Sequence, residues 1–190
     1  AKKTGIWTMI DNTFASPVNQ NPISLGIDIV IHSATKYLGG HSDICAGVVL
    51  GSKASIDRVF DSAKNLGGSL SEYTVWLLER SIKTLFIRVQ AQNNNAKLIA
   101  DFLENESWVE RVYYPGLKSH PNHNIAKMQM KGFGGMLSFD LVPEIDSKKF
   151  LLGLDLIKPT ISLAGIESTA LSPSLTSHSL LTETERLSQG

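Results

Sequence analysis

Apolar residues along this 190-residue chain fall into two rhythms. In the first seventy positions they form short continuous runs: GIWTMI over 5–10, DIVIH over 28–32 and AGVVLGS over 46–52. Such runs, rich in β-branched and aromatic residues and bounded by Gly, Asn, Asp or Ser, predict strands. Their lack of alternation predicts strands covered on both faces, as in an α/β sheet. From Ser71 the spacing changes to three and four, through Val75, Leu78, Ile82, Leu85 and Val89 and on to Leu98, Ile99, Phe102 and Leu103. This predicts one long helix, or two abutting ones, over about 71–105, with Ser71 and Glu72 at its start. Beyond it, VERVYYPGL (109–117) reads as a strand ended by a Pro-Gly turn, and GMLSFDLV (135–142) alternates as a strand. SKKFLLGL (147–154) reads as a short helix, and LIKPTIS (156–162) as a strand with an edge proline. Strands interleaved with helices predict an α/β fold, with α+β equally open for the second half. The natural boundary lies near 70–80, with the long helix as connector: residues 1–75 in one domain and 76–190 in another.

Composition narrows the function classes. Eighteen basic side chains balance eighteen acidic ones, which argues against a nucleic-acid surface or a polybasic membrane face. No apolar run approaches the roughly 18 residues a membrane span requires. Cys45 is the lone cysteine, so no internal disulfide is available, and a reducing, cytoplasmic setting is expected. Before the strand at 46–52, Cys45 itself is expected to be an apolar core residue. The chain opens AKKTGIWTMIDN without Met and stops at ERLSQG, which is expected of processed ends or of part of a longer polypeptide.

The candidate chemistry lies in IVIHSATKYLGGHSD (29–43). Lys36 directly follows a predicted strand, and Asp11 follows another. In open α/β sheets ligands gather outside the carboxyl ends of strands. An amine and a carboxylate can therefore meet at one edge. A neutral lysine there can form a Schiff base with an aldehyde. Pyridoxal 5'-phosphate (PLP) requires such a lysine, an acid for its pyridine nitrogen and donors for its phosphate. Ser33 and Thr35 carry hydroxyls for the last task, and Gly39 and Gly40 let the backbone turn away closely. From spacing alone, a solvated lysine and ordinary turn residues account for the same pattern. His41 and Asp43 either orient the lysine loop or serve turn chemistry.

The resemblance to a known family rests on ordered blocks. DNTFASP (11–17), HSATKYLGGHSD (32–43), WLLERSIKTLFIR (76–88), VYYPGLKSHPNHNIAKMQMKGFGGMLSFDL (112–141), SLAGIES (162–168) and TSHS (176–179) follow one another as in the Cys/Met-metabolism family of PLP-dependent enzymes. That family includes cystathionine γ-synthase, the cystathionine lyases and methionine γ-lyase. The resemblance implies a fold-type I transferase (aspartate aminotransferase-like): part of the large cofactor domain plus most of the small C-terminal α/β domain. It implies that Lys36 holds the cofactor as an internal aldimine and later moves protons at the substrate α carbon. It also implies that Asp11 pairs with the pyridine nitrogen, that Ser33 and Thr35 contact the phosphate, and that Ser162 begins the block near the substrate carboxylate. The implied chemistry is elimination or replacement at the β or γ carbon of sulfur amino acids and activated homoserines. The implied assembly is a homo-oligomer, a homotetramer in the family, with shared sites.

Departures from the family pattern qualify this. The family's upstream ring-stacking tyrosine and its carboxylate-binding arginine lie outside these 190 residues, and Arg186 aligns instead with an earlier arginine on a surface helix. The chain by itself is therefore expected to be inactive, and a folded, oligomerising but non-catalytic module is the alternative function. Ile161 stands where cystathionine-handling members carry an acid; an apolar residue there favours substrates without a distal charge, such as methionine or activated homoserine. Ile161 as a mere wall residue is the other reading. His120 and His123 in SHPNH are read as loop histidines rather than metal ligands, since Pro121 lies between them and no Cys or carboxylate joins them. Trp76, Leu77 and Phe86 are read as core or subunit contact, and the asparagines of NNNAK (93–97) as buried polar contacts or an interface.

Overall fold

A computed structural model describes residues 2–176 and 178–189. Three short strands form the first sheet: β1 (Met9–Asp11), β2 (Ile29–Ser33) and β3 (Gly47–Gly51). β1 lies parallel to β2, with Met9 opposite Ile29 and Asp11 opposite Ile31. β3 returns antiparallel on the other side, from Ile29–Gly51 to Ser33–Gly47. α1 (Ser16–Asn19) fills the crossover between β1 and β2. Covering on both faces holds for β2, whose Ile29 and Val30 are buried, but not for its neighbours. In β1 Met9 and Asp11 are exposed, and β3 is exposed or half-buried throughout. As edge strands they lack a second layer among the described residues, so continuous hydrophobicity overstated their burial.

The periodic region resolves into α3 (Glu72–Ile82) and α4 (Leu85–Leu103). Ser71 caps α3 by accepting from the Thr74 N–H. The break falls at Lys83–Thr84, where the Thr84 hydroxyl donates to the Ser81 carbonyl at 3.1 Å. α2 (Lys53–Leu66) was not predicted. Its Ile56, Val59 and Phe60 do recur at helical spacing, but its ends carry the clearer signal. Ser52 caps it through the Ser55 N–H, and Gly67 closes it at φ +76°.

The second half contains β4 (Val109–Tyr113) paired antiparallel with β5 (Ser138–Leu141), α5 (His123–Gln129), α6 (Ser147–Leu152), the parallel pair β6 (Lys158–Pro159) and β7 (Thr169–Ala170), and α7 (Glu183–Gln189). α5 replaces the expected loop at the histidines. His120 precedes it; His123 opens it, with Nδ1 donating to the Pro115 carbonyl at 2.8 Å and its ring stacked on Phe133.

Two core clusters lie along α4. One joins Leu85 and Val89 to Leu78, Ala34, Tyr37, Leu38, Ile44 and Ala46; the other joins Ala96, Ala100 and Leu103 to Val112, Tyr114 and Leu117. Cys45 is exposed, contrary to expectation. Its neighbours Ile44 and Ala46 take the inward positions, and in extended chain alternate side chains face opposite ways. Leu77 packs against the first cluster, whereas Trp76 and Phe86 are exposed and belong to no core here. No described helix is long and apolar enough to cross a membrane.

Candidate functional site

Because β1 and β2 are parallel, they end at the same edge of the sheet. The chain leaving β1 is stitched to β2: the Asn12 N–H donates to the Ile31 carbonyl at 2.9 Å, and the Ser33 N–H donates to the Thr13 hydroxyl at 2.8 Å. Asp11 is exposed at this edge, with one carboxylate oxygen accepting from the Thr13 N–H at 2.9 Å. Hydrogen bonding from the Thr13 hydroxyl and then from its N–H holds the carboxyl below its usual range, with His32 helping electrostatically. Asp11 is therefore an exposed, ionised carboxylate. Asn12 is buried and does turn chemistry, its amide donating to the carbonyls of Ser16 and Gln20.

β2 runs straight into a compact series of turns. The Lys36 N–H donates to Ser33, Gly39 to Ala34 and Gly40 to Lys36. Ala34, Tyr37 and Leu38 sink into the first core cluster, which leaves Lys36 half-buried on the opposite side. Its Nζ has no hydrogen bond or ion pair among the described residues, and neither does the Ser33 hydroxyl. The Thr35 hydroxyl is engaged: it accepts from the Ala46 N–H at 3.0 Å and donates to the Ala46 carbonyl at 3.4 Å.

Polar side chains of α3 and α4 hold this loop. Arg88 donates to the carbonyls of Tyr37 at 2.9 Å, Leu38 at 3.5 Å and Ser81 at 2.9 Å, and to the Thr84 hydroxyl at 3.1 Å. Gly40, at φ +72°, passes so close that a Cβ would lie 1.9 Å from an Arg88 nitrogen, so any side chain there would have to displace the guanidinium and take up a left-handed backbone. His41 lies with Nδ1 2.7 Å from the Gly39 carbonyl, a local turn contact, and 3.3 Å from the Ser81 hydroxyl of α3. A carbonyl can only accept, so Nδ1 carries the proton. Asp43 is exposed and has no such contact among the described residues.

The segment after Thr160 comes to the same region. Leu163 and Ala164 pack on the cluster that contains Ala34, Tyr37 and Leu38. Ser162 is half-buried, its carbonyl accepting from the Thr169 hydroxyl at 3.0 Å, while Ile161 is 68% exposed. Arg186 is on α7, as expected of a helical arginine. Its guanidinium donates to the carbonyls of Leu181 at 2.8 Å and His178 at 3.5 Å. Ser177 of the TSHS block lies outside the described residues.

The structure thus brings Asp11, Ser33, Thr35 and Lys36 to one edge and packs the 162–165 segment against the lysine loop. Sequence reasoning missed Thr13, Arg88 and Gln92. A signal was present for the last two: Arg88 and Gln92 are polar at i and i+4 beside the core position Val89, on the side of α4 that should be apolar. Asn93, from the odd NNN run, is buried. It forms a reciprocal amide pair with Asn19 at 2.7 and 3.0 Å, and accepts from Gly134 N–H at 3.1 Å.

Known proteins are similar to this chain over all or nearly all of its length. Cystathionine beta-lyase of Lactococcus lactis subsp. cremoris (strain MG1363) is 48% identical over 179 residues, 94% of this chain and 47% of that protein. Cystathionine gamma-lyase of Bacillus subtilis (strain 168) is 44% identical over 191 residues, covering 100% of this chain and 50% of its own length. The crystal structure of cystathionine gamma-lyase from Lactobacillus plantarum, complexed with L-serine, superposes with a TM-score of 0.93 at 42% identity, over 100% of this chain and 50% of that one. The chain spans about half the length of the relatives it matches. The family model for Cys/Met metabolism PLP-dependent enzymes matches residues 1–190, and the chain belongs to that family.

Proposed function

We propose that the whole protein is a PLP-dependent enzyme of sulfur amino acid metabolism, a carbon–sulfur lyase or γ-replacement transferase, with Lys36 as the residue that takes the cofactor aldehyde. One observation carries the reading: the parallel pairing of β1 and β2 brings Asp11 and Lys36 to the same carboxyl edge, the amine without a partner among the described residues. The residues fit PLP. Asp11 is kept ionised by Thr13, as a partner of a protonated pyridine nitrogen must be. The Ser33 hydroxyl is available to a phosphate, and Thr35 can join by giving up its 3.4 Å donation to Ala46. Bound PLP supplies an electron sink for negative charge at the substrate α carbon. Lys36 then moves the proton at that carbon, while Arg88 and His41 keep its loop in place.

Ser162 is assigned to the substrate carboxylate side. Ile161, apolar and exposed towards solvent in this chain, gives no counter-charge to a distal ammonium group. That favours a methionine γ-lyase-like or homoserine-sulfhydrylating activity over one dedicated to cystathionine. Residues 1–75 belong to the cofactor domain and 76–190 to the connecting helix and C-terminal domain. Exposed Trp76, Phe86 and Ile87 support homo-oligomerisation through α3 and α4. The balanced charge and the lone cysteine support a cytoplasmic enzyme without nucleic-acid or membrane partners.

The test is borohydride reduction of the full-length protein with PLP, followed by peptide mass mapping. A pyridoxyl adduct on the peptide containing Lys36, abolished by Lys36→Ala, is expected. A protein that stays colourless and unlabelled at Lys36 would sink the enzyme reading and leave the non-catalytic module.

A further inference from the structure

We infer that Gln92 is a positioning residue that locks the 162–165 segment onto the lysine loop and so fixes where Ser162 stands. The inference rests on the reading of Ser162 as a substrate-side residue. Gln92 sits on α4, and its Nε2 donates to the Gly165 carbonyl at 2.9 Å and the Ala164 carbonyl at 3.4 Å. Ala164 is at φ +65°, in the left-handed region that a residue with a Cβ avoids. Such a conformation persists where the surroundings impose it. Here they do so from two sides. Gln92 holds the carbonyls, and a Cβ on Gly165 would lie 2.9 Å from the Ser42 hydroxyl oxygen, itself in the lysine loop.

Two further segments meet at the same point. The Gly135 N–H donates to the Tyr37 hydroxyl at 3.2 Å, and a Cβ on Gly135 would come within 3.0 Å of the Gln92 Cβ. Gln92 thus joins α4 to the 162–165 segment and the loop before β5, and both of these meet the lysine loop, at Ser42 and Tyr37. Its amide can point only one way: two carbonyls in front of it require the NH2 there. That orientation leaves Gln92 Oε1 buried with no partner among the described residues. A buried, unsatisfied acceptor weakens the fold. A leucine would relieve that acceptor but leave the Gly165 and Ala164 carbonyls without their donor; the two effects oppose each other in stability, and what the glutamine adds is the position of the segment.

The test uses the full-length protein and a Gln92→Leu variant, read by segment-resolved hydrogen exchange and by steady-state kinetics. Amides of 162–168 are expected to exchange about tenfold faster, while those of 29–41 and the melting temperature hardly change. KM for the amino acid substrate is expected to rise about tenfold with kcat within about threefold. Ala164→Gly added to Gln92→Leu should recover much of both effects, because glycine adopts the left-handed turn without being held. Unchanged exchange at 162–168, or an equal loosening of all segments, would overturn the inference. If the wild type forms no adduct at Lys36, the enzymatic reading fails by itself. The exchange pattern still decides whether Gln92 pins the segment.

Discussion

α4 is one helix with two kinds of anchorage. Its first half fixes the loops around it with side-chain hydrogen bonds: Arg88 to the Tyr37 and Leu38 carbonyls of the lysine loop and to Ser81 and Thr84 around the break between α3 and α4, Gln92 to the Ala164 and Gly165 carbonyls, Asn93 to Asn19 and Gly134. Its second half faces β4 with Ala96, Ala100 and Leu103, all buried, and a layer of aromatic residues in which Tyr114 meets Phe133 edge to face. Apolar burial is strong but non-directional. Hydrogen bonds contribute less each, and they specify where a carbonyl must be. The half beside the lysine loop holds loops in one place, and the other half keeps the helix attached.

The comparison is broken most forcefully from the apolar end. Leu103→Ala should lower stability by about 2–5 kcal/mol through lost burial and the cavity left behind. Denaturant unfolding measures this, and Lys36 labelling of the folded fraction should not change. A labelling defect in that variant would mean the two halves are not separable.

Tyr114 probes the same half through pH. Burial, with smaller contributions from Tyr37 and Asp101, pushes its phenol up to about 12. The hydroxyl donates to the Gly134 carbonyl at 3.1 Å. The folded state therefore holds this proton more tightly than the unfolded chain, whose phenol titrates near 10. Stability from this group is whole below pH ~10 and is lost as pH rises towards about 12, by on the order of 2 kcal/mol. Tyr114→Phe should flatten that alkaline limb relative to wild type in melts taken between those pH values. An unchanged limb would assign the loss to other groups.

Arg88→Lys sharpens the polar end with the smallest global effect. An ammonium cannot reproduce a planar fork that reaches four oxygen atoms. The expected cost is about 1 kcal/mol in stability, with faster amide exchange at 37–41. Equal exchange in both proteins would show that packing of Tyr37 and Leu38 suffices to hold the loop.

Much of this was legible in the residues. The strands near 9–11, 29–33 and 47–51 announced themselves by continuous apolar runs, and α3 and α4 by spacing and the Ser71 cap. The shared placement of Asp11, Ser33, Thr35 and Lys36 at one edge was legible because each residue sits at or just beyond a strand end. α2 was missed because half of its interest lies in its caps, Ser52 and Gly67, rather than in a buried stripe. Cys45 was misplaced because residue type was weighed above its position between two inward-facing neighbours. Arg88 and Gln92 went unread because a polar residue on a buried helix face is intelligible only once the carbonyls it meets are known.

Local interactions are written along the chain, so the sequence by itself determined the periodicities, the caps, the glycines of the lysine loop and the order of blocks that marks the family. Tertiary structure alone decided which strand pairs with which, and in what direction. Parallel pairing of β1 and β2 brings Asp11 and Lys36, 25 positions apart, to one edge. Gln92 meets Gly165 across a separation of 73 residues. Contacts of that span depend on how the whole backbone closes, and no local pattern encodes them.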